Sequence, residues 1–486
     1  MPDPIKHVVL LMLENHSFDQ MLGCFNSVYP DLEGIDPQSL RTNKDKDGVS
    51  FTQQETDELQ VALDPKHEQK NVLDQLVGCN AGFVLDFSTE YPESTTVDRQ
   101  EIMGFYGMGK LPALHALAAD FTICDHWFSS LPGPTWPNRF FALSGTSSGE
   151  VEMPSGAQQA NPLWYLHQRQ HTVFDRLHEQ QRKWKVYYYD FPNSWLFLRQ
   201  LLPQNIKNYH HIDTFFNEDV LDEGSFPDFV FIEPKYFGQD QNDDHPPHNV
   251  MKAEKLVADV YNAIRSNPEL WESTLLVITF DEHGGFYDHI VPPKTVAPDE
   301  NVSNYAFDQL GVRVPALFVS PWVGKRVEHT AFDHTSLLKY LTNKWHLGDL
   351  GKRTASETTN SIDCCLTEQQ PRKDTIPFIR VPYKELIPTY PEREKDTNNE
   401  NQKSIHLFAR QMELETQKPE FAQAFKAPGW MTKLKHTAGT VITKIGQSLT
   451  KEHETMQKAR LTRLETLVKS AKNTSNDKGF FTTQNK

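Results

Sequence analysis

Residues 274–293 read Thr274-Leu-Leu-Val-Ile-Thr-Phe-Asp-Glu-His-Gly-Gly-Phe-Tyr-Asp-His-Ile-Val-Pro-Pro293. The apolar, β-branched run Leu275–Phe280 is typical of a strand buried on both faces of a parallel sheet. Acidic and histidine side chains follow at once, two glycines break the backbone, and Asp288-His289 completes the cluster. Open α/β sheets carry their chemistry at the carboxyl ends of such strands, so the stretch predicts an active site.

A second stretch of the same kind lies near the N-terminus. The run His7–Leu13 predicts a buried strand, and Glu14-Asn15 follows it directly. A carboxylate and an amide at the tip of a parallel strand indicate a metal or phosphate site. The alternative is that Asn15 or Ser17 caps the next helix. Capping accounts for one of these residues but not for Glu14 beside it, so we favour a functional role.

Thr135 is a candidate nucleophile because of what precedes and follows it. A Pro-Gly-Pro block at residues 132–134 forces a turn, and Pro137 is tolerated in the first turn of the helix that follows. The sequence therefore places Thr135 at a strand-to-helix junction, and the N-terminus of a helix favours anions. An ordinary N-cap threonine explains the position equally well.

Histidines form a third group of candidates. His67 precedes an amphipathic stretch, and an isolated histidine is more often structural. His210-His211 follows a loop-rich region, and the loop Asp240–His248 holds four acidic or histidine side chains in its last six positions. Asp244 and His248, four residues apart, have a spacing that suits two metal ligands. A solvated acidic loop is the alternative, but two histidines that flank a pair of prolines argue against a purely solvating role.

The order of the apolar runs indicates the fold. Further strands are predicted at 121–128, 185–190, 228–232 and 312–320, and helices at 250–265 and within 329–345. Buried strands that alternate with helices predict an α/β layer fold with a mostly parallel sheet. We expect three parts: a catalytic domain at 1–350, a polar linker at 351–403, and a helical basic region at 404–486 whose last dozen residues are disordered.

Composition bounds the class of protein. The chain has 486 residues, of which 38% are hydrophobic and 11% aromatic, as in a folded protein. A formal net charge of −16 argues against a nucleic-acid partner, because phosphate would be repelled. The five cysteines are scattered and predict neither a disulfide framework nor a zinc ribbon. We predict no transmembrane segment and no standard signal peptide, since the longest apolar run near the start, Val8–Leu13, is too short.

The strand-end residues suit a divalent cation. Glu14, Asn15, Asp281 and Glu282 supply oxygen ligands, and a bound cation is the simplest way to hold such carboxylates together. Oxygen ligands alone favour Mg²⁺, Mn²⁺ or Ca²⁺, and histidines that join them move the preference toward Zn²⁺. A metal-bound Thr135 hydroxyl is a competent nucleophile. These residues therefore predict metal-assisted substitution at phosphorus.

Three motifs together resemble the bacterial phosphoesterase family, which contains phosphatidylcholine-hydrolysing phospholipases C and related acid phosphatases. They are Glu14-Asn-His-Ser-Phe-Asp19, Asp240-Gln-Asn-Asp-Asp-His-Pro-Pro247 and Asp281-Glu-His-Gly-Gly-Phe-Tyr-Asp-His289. The resemblance covers about residues 5–345. The acid phosphatases carry an Asp pair where this chain has Asp281-Glu282, and the chain is more similar to the phospholipase branch in this respect and in Thr135.

The resemblance implies an alkaline-phosphatase-like α/β/α sandwich and a set of site residues. It implies that Glu14, Asn15, Asp281 and Glu282 hold a metal together with the nucleophile Thr135. It also implies that the phosphate pocket is lined by the histidines His67, His210, His211 and His245. Among these, His245 is our candidate for the group that protonates the leaving alkoxide.

The leading hypothesis is a phospholipase C that splits phosphatidylcholine into diacylglycerol and phosphocholine through a phospho-threonine intermediate. A broad acid phosphatase is the alternative of the same class. A membrane-docking effector is the alternative of another class, because residues 430–472 hold nine Lys or Arg and three Glu on amphipathic helical patterns. A helix packed on its own domain explains the same pattern.

The substrate sets the remaining expectations. A phospholipid is met at a membrane surface, so peripheral membrane contact is expected. An aromatic cage suits a quaternary ammonium, and the candidates are Trp127, Trp136, Tyr187 and Tyr188. Proteins of the family usually act outside the cell, so the lack of a leader peptide points to a specialised secretion route or to the cytosol.

Overall fold

A large sheet organises the computed structural model, which describes residues 3–154, 168, 170–238, 240–302, 305–382 and 399–415. The strands are β1 (His7–Leu13), β2 (Thr42–Lys44), β3 (Ser50–Thr52), β4 (Gln54–Thr56), β5 (Gly104–Tyr106), β6 (Thr122–Cys124), β7 (Trp127–Phe128), β8 (Trp184–Tyr188), β9 (Tyr209–His211), β10 (Phe229–Ile232), β11 (Thr274–Phe280), β12 (Ala316–Val319), β13 (Arg326–Glu328) and β14 (Phe332–Asp333).

Helices connect these strands. The α-helices are α1 (Phe18–Leu22), α2 (Gln69–Gln75), α3 (Val77–Asn80), α4 (Phe83–Glu90), α5 (Thr96–Glu101), α6 (Leu114–Asp120), α7 (Thr135–Ser144), α8 (Val173–Glu179), α9 (Pro203–Ile206), α10 (Ile212–Asn217), α11 (Val250–Ser266), α12 (Pro268–Ser273), α13 (His334–Trp345), α14 (Gly351–Ala355) and α15 (Glu400–Glu415). Short 3-10 helices occur at Gly23–Ser27, Asn193–Leu196, Leu198–Leu201, Asp219–Leu221, Glu223–Ser225 and Ile362–Cys365.

The central sheet has eight strands in the order β13-β6-β12-β11-β1-β10-β8-β9. Strand β1 lies in its interior and pairs in parallel with β10 on one side and β11 on the other. Strands β8 and β9 continue the parallel run, whereas β12 is antiparallel to both β11 and β6. The predicted mostly parallel sheet is confirmed.

The two long apolar runs form the strands that the sequence predicts. All seven residues of β1 and all seven of β11 are buried, as expected for strands covered on both faces. The predicted strand at 121–128 is instead divided into β6 and β7, which belong to different sheets. The division falls at Asp125-His126. The Asp125 N–H still donates to the Glu328 carbonyl of β13 at 3.3 Å, whereas the His126 carbonyl accepts from the Phe332 N–H of β14 at 2.8 Å.

Helices cover the sheet in two groups. Helices α7, α8 and α13 pack in one group, and α6, α11 and α12 pack in the other. Both groups contact sheet strands, through α8 on β8 and through α11 on β11. The predicted α/β/α arrangement is therefore present, and one hydrophobic cluster runs through the sheet and both helix layers.

The chain beyond residue 350 also contributes to this core. Arg353 is fully buried and its Nη1 lies 3.0 Å from an Asp333 carboxylate oxygen, while Ile362, Cys365 and Ile379 join the hydrophobic cluster. Part of the expected linker, residues 351–382, thus packs into the core through buried side chains. The domain boundaries stay a prediction. The predicted basic helices at 430–472 lie outside the described residues.

Two further features concern the cysteines and the membrane. All five cysteines are free thiols. Among the helices of the described residues, none combines the length and the apolar character that crossing a membrane requires.

Candidate active site

The register of β1 and β11 brings the two predicted strand-end motifs together. Leu13 lies opposite Phe280, so the residues that follow each strand are neighbours. The Asn15 backbone N–H donates to Asp281 Oδ1 at 3.4 Å, and the His16 N–H donates to the Glu282 carbonyl at 3.1 Å. The four predicted ligand residues, which are Glu14, Asn15, Asp281 and Glu282, are all fully buried at this edge of the sheet.

Glycine at 284 permits this close approach. Gly284 has a φ of +64°, and a Cβ atom added there would lie 2.1 Å from the Asn15 carbonyl oxygen. Asn15 itself adopts a left-handed φ of +64°, which asparagine tolerates better than most residues. The predicted turn of the backbone at Gly284-Gly285 is therefore a steric requirement for placing Asn15 against the second motif.

Thr135 is the first residue of α7, as the Pro-Gly-Pro block predicts. Its side chain is 1% exposed, and its Oγ1 donates to Asn15 Oδ1 at 3.5 Å. The neighbouring Trp136 N–H points at the Met153 sulfur at 3.3 Å. A thioether is a weak acceptor, so a phosphoryl oxygen at this helix N-terminus would be a stronger partner for that donor.

Arg139 is a site residue that the sequence analysis missed. It lies one turn after Thr135 on α7, and its Nη2 is 3.1 Å from Glu14 Oε1 while its Nε is 2.8 Å from Asp281 Oδ2. Its Nη1 is 3.6 Å from Glu233 Oε2. Residues four apart on a helix share a face, and that spacing from Thr135 is the signal that could have identified it.

Burial dominates the electrostatics of these acids. It raises the pKa of Glu14 well above its usual value, although Arg139 opposes the rise. It also raises the pKa of Asp281 to about 7, again against the effect of Arg139. Glu282 differs, because nearby imidazoles and the Gly284 N–H outweigh burial and lower its pKa. A nearby positive charge would therefore stabilise the ionised forms of Glu14 and Asp281.

His67 lies against the same cluster. Its Nε2 is 3.2 Å from Asn15 Nδ2 and 3.7 Å from Glu282 Oε1, and its Nδ1 is 2.9 Å from the Pro65 carbonyl. Burial alone would lower the pKa of His67, but the carboxylates of Glu282, Asp64 and Glu68 raise it to about 9. The three carboxylates therefore favour the protonated ring.

His245 faces His67 with 5.6 Å between ring centroids. Its Nδ1 is 2.6 Å from the Pro246 carbonyl, and burial together with the charge of His67 lowers its pKa well below the usual value. Asp243 and Asp244 are 0% and 3% exposed, so the loop is not a solvated acidic loop. His245 is therefore a neutral imidazole held beside a charged one.

His210 and His211 lie elsewhere on the sheet. They sit on β9, three strands from β1, which corresponds to about 14 Å at the usual strand spacing. The His210 ring packs on Tyr187, and His211 accepts from the Asp213 N–H at the start of α10. The structure brings His67 and His245 to the strand-end cluster but not these two histidines, whose role stays a prediction.

The cluster fits a divalent cation. Within the described part of the chain, Glu14 Oε2 and Glu282 Oε1 are buried side-chain oxygens with no hydrogen-bond partner. Buried carboxylate oxygens are costly unless something positive satisfies them. Carboxylate oxygens of this kind, like the amide oxygen of Asn15 and the hydroxyl of Thr135, are groups that suit a divalent metal ion.

A second acidic group lies nearby and has a different character. Asp19, Asp288 and His289 bring their ligand atoms within 4.8 Å of one another, the spacing of a possible metal site. Arg313 already lies between them, 3.0 Å from Asp19 Oδ1 and 2.9 Å from Asp288 Oδ1. That guanidinium balances the charge of the two carboxylates, and a metal at the strand-end cluster stays a prediction. The Ser17 hydroxyl also donates to the Tyr287 carbonyl at 2.8 Å, so these residues fasten the two strand-end motifs together.

The family match and the named relatives together identify the chain as a phosphoric ester hydrolase. The chain belongs to the Phosphoesterase family, whose family model matches residues 5–348. Phosphoesterases generally use divalent metals, and Asp19, Asp288 and His289 form an acidic and histidine-containing group that could hold one. The predicted resemblance is confirmed.

Similar proteins support this assignment. The chain is 36% identical over 360 residues to non-specific phospholipase C6 of Arabidopsis thaliana, covering 69% of this chain and 66% of that protein. It is 33% identical over 410 residues to non-specific phospholipase C3 of the same plant, covering 76% and 75%. It is 28% identical over 413 residues to the hemolytic phospholipase C of Pseudomonas aeruginosa, covering 70% of this chain and 53% of that protein.

Solved structures give a weaker comparison. A protein in the alkaline phosphatase superfamily from Vibrio parahaemolyticus matches with a TM-score of 0.30 and 12% sequence identity, over 50% of this chain and 64% of that chain. A similarity of that size carries no conclusion about substrate or mechanism.

Proposed function

We propose that the protein is a metal-dependent phospholipase C that hydrolyses phosphatidylcholine and similar glycerophospholipids to diacylglycerol and phosphocholine. The observation that carries the proposal is the position of Thr135. Its hydroxyl lies at the N-terminus of α7, 3.5 Å from Asn15 Oδ1, and Arg139 on the same helix pairs with the buried carboxylates of Glu14 and Asp281. The similar plant and bacterial proteins named phospholipases C support the choice of reaction.

The residues that would hold the metal are Glu14, Asn15, Thr135, Asp281 and Glu282. A bound divalent cation would supply positive charge that lowers the pKa of the Thr135 hydroxyl and neutralises a phosphoryl oxygen. Zn²⁺ is the ion that we favour from the sequence, and Ca²⁺, Mn²⁺ or Mg²⁺ suit the oxygen ligands.

The chain's own residues then perform two substitutions at phosphorus. Thr135 Oγ1 passes its proton to solvent and attacks phosphorus. The bond from phosphorus to the glycerol oxygen breaks, and that oxygen takes a proton from a histidine of the site, so that diacylglycerol is released. Water next attacks the phosphocholine ester of Thr135, the bond from phosphorus to Oγ1 breaks, and the hydroxyl is restored. Arg139 holds Glu14 and Asp281 in place throughout.

Two histidines compete for the role of proton donor. We predicted His245 from the sequence, but its lowered pKa favours the neutral ring. The carboxylates around His67 raise its pKa to about 9, which favours the protonated ring. Charge therefore supports His67 as the donor to the glycerol oxygen, with His245 as a neutral partner that lines the phosphate pocket.

The candidate choline cage finds less support. Trp127, Trp136 and Tyr187 are buried at 1% exposure or less, and each indole or phenol group already has a hydrogen-bond partner. Tyr187 and Tyr188 are consecutive on β8 and point to opposite faces of the sheet. Trp136 is adjacent to Thr135 and stays the best candidate of the four. Peripheral membrane contact follows from the lipid substrate, and a specialised export route or cytosolic residence stays a prediction.

The test is a set of variants of Thr135. Thr135→Ala should lower kcat on phosphatidylcholine by at least about 10³-fold, as loss of a covalent nucleophile does, while Thr135→Ser keeps measurable turnover. Wild-type protein quenched during turnover should carry phosphocholine on the peptide that contains residue 135, detected by mass spectrometry. Ser144→Ala, which removes a buried hydroxyl at the far end of α7, is the matched control and should behave as wild type.

Three results would contradict the proposal. Wild-type turnover in Thr135→Ala would remove Thr135 as the nucleophile. Hydrolysis of phosphomonoesters with no cleavage of phosphatidylcholine would favour the acid phosphatase alternative. Full activity after removal of divalent metal by a chelator, verified by elemental analysis, would remove the metal from the mechanism.

A further inference from the structure

The C-terminal helix α15 reaches the strand-end cluster through one side chain. Asn401 is 1% exposed, and its Nδ2 donates to Glu14 Oε1 at 2.8 Å. Its Oδ1 accepts from the Trp136 Nε1 at 2.8 Å. Asn401 lies beyond residue 348, where the match to the family model ends. The residue therefore adds a contact that the family resemblance does not supply.

The orientation of the Asn401 amide is fixed by its two partners. An indole N–H can only donate, so the amide oxygen must face Trp136 and the amide NH₂ must face Glu14. Glu14 Oε1 is therefore the acceptor of this hydrogen bond and carries no proton toward Asn401. Arg139 Nη2 approaches the same Oε1 at 3.1 Å. The Asn401 hydrogen bond and the Arg139 ion pair thus both involve one oxygen of the carboxylate.

The other oxygen of Glu14 is left for a different partner. Glu14 Oε2 is buried, and no donor in the described part of the chain reaches it. A carboxylate that is hydrogen-bonded through one oxygen and directs the other into a polar site is the usual arrangement of an oriented metal ligand. Without Asn401 the carboxylate would keep Arg139 as its side-chain donor and could rotate away from the site.

The segment that carries Asn401 is well anchored. Asn399 and Gln402 form reciprocal contacts at the start of α15, with the Asn399 N–H donating to Gln402 Oε1 at 2.9 Å and the Gln402 N–H donating to Asn399 Oδ1 at 2.8 Å. This is the pattern of a capping box. Gln402 Nε2 also donates to the Tyr236 carbonyl at 2.6 Å, and the Phe408 ring packs on Phe191 with 5.8 Å between centroids.

We propose that Asn401 is a positioning residue of the site, which orients Glu14 so that its second oxygen binds the divalent cation. The inference rests on the proposed function, because it assumes that Glu14 is a metal ligand. It deepens that function by making the start of α15 a part of the catalytic machinery. Asn401 itself touches neither the cation nor the lipid.

The experiment measures zinc affinity on the full-length chain. Metal is removed with a chelator, and zinc is returned in competition with a chromophoric chelator of known affinity. Asn401→Ala should weaken zinc binding by about 10–100-fold, the usual loss when a partner that orients a metal ligand is removed. Asn401→Asp, which keeps the shape but places a carboxylate against Glu14, should weaken it at least as much.

The matched control is Ser404→Ala. Ser404 is a buried polar residue on the same helix, and its hydroxyl contacts no hydrogen-bond partner among the described residues. This variant should bind zinc as wild type does.

Thermal unfolding of each metal-free protein shows whether a variant folds. If Asn401→Ala does not fold, Trp136→Phe provides a second route, because it removes the indole partner and frees the Asn401 amide to turn.

Each outcome decides the matter. Zinc affinity in folded Asn401→Ala equal to that of wild type would overturn the positioning role and leave the proposed function intact. Equal weakening in Ser404→Ala would also overturn it, since any disturbance of α15 would then suffice. A wild-type protein that binds no divalent cation would overturn both the inference and the metal requirement of the proposed function.

Discussion

At the scale of single residues, the site separates two histidines that are chemically identical. The ring centroids of His67 and His245 are 5.6 Å apart. Three carboxylates raise the pKa of His67 to about 9 against the effect of burial, whereas burial and the charge of His67 lower the pKa of His245. Two adjacent imidazoles in a buried site cannot both hold a proton without strong repulsion. The pair therefore carries one positive charge, and the location of that charge decides which ring can release a proton.

This arrangement predicts different effects of the two histidine variants. A nitrophenolate leaves without help, whereas the glycerol alkoxide of a phospholipid needs a proton, and a general acid contributes roughly 10²–10⁴-fold. His67→Gln should therefore lower kcat on phosphatidylcholine far more than on a p-nitrophenyl ester of phosphocholine, and His245→Gln should lower both about equally. His126→Gln, whose ring pairs with Glu33 at 3.0 Å, is the control. The opposite pattern would return the donor role to His245.

At the scale of an element, α7 joins the nucleophile to the charge balance of the site. Thr135 begins the helix, and Arg139 one turn later bridges Glu14, Asp281 and Glu233. A buried cation among three acids compensates the loss of their hydration, and removing one partner leaves buried charges unpaired. The helix therefore contributes to stability and to catalysis through the same face.

Replacing Arg139 by methionine should destabilise the protein by about 3–5 kcal/mol near neutral pH. Burial raises the folded-state pKa of Asp281 to about 7 and that of Glu14 well above its usual value. A carboxyl with a raised pKa contributes stability below its unfolded pKa, and that contribution is lost as pH rises through the folded pKa. Without Arg139 this loss of stability is larger. The free energy of unfolding of Arg139→Met should therefore fall furthest below that of wild type above pH 7, and less far at pH 5.

Urea unfolding with a chelator present measures this effect at each pH. Arg176→Met is the control, because Arg176 pairs with Glu179 at the surface of α8 and such pairs contribute about 0–1 kcal/mol. A destabilisation of Arg139→Met that is equal at pH 5 and pH 8 would contradict the electrostatic account.

At the scale of the whole molecule, the site gathers residues from distant parts of the chain. The sequence predicts Glu14, Asn15, Asp281 and Glu282 together because each pair directly follows a buried parallel strand, and the carboxyl ends of such strands share one edge. Thr135 is predictable from the turn before its helix. Arg139 and Asn401 are not, because only the three-dimensional packing shows which carboxylates they meet. The same limit applies to His210-His211, which no local pattern places on β9.

Shortening the chain separates the site from the basic C-terminal region. A protein that ends after residue 415 keeps Asn401 and loses the nine basic residues of 430–472. It should hydrolyse a soluble p-nitrophenyl phosphodiester as the full chain does, because every site residue precedes the cut. A protein that ends after residue 398 should bind zinc more weakly, since it lacks Asn401.

Vesicle sedimentation with the same two proteins tests the membrane-docking alternative. If the chain that ends after residue 415 loses vesicle binding but keeps soluble turnover, the C-terminal region docks on lipid. A loss of soluble turnover in that protein would contradict the placement of the site.

The interior position of β1 has a consequence for synthesis on the ribosome. Strand β1 is made first, but it pairs with β10 and β11, which begin at Phe229 and Thr274. Translation at about 5–20 residues per second leaves the apolar β1 without sheet partners for roughly 10–45 s. An unpaired hydrophobic strand is prone to aggregate, so we expect the nascent chain to depend on chaperones that hold unfolded segments, and folding to complete late in translation.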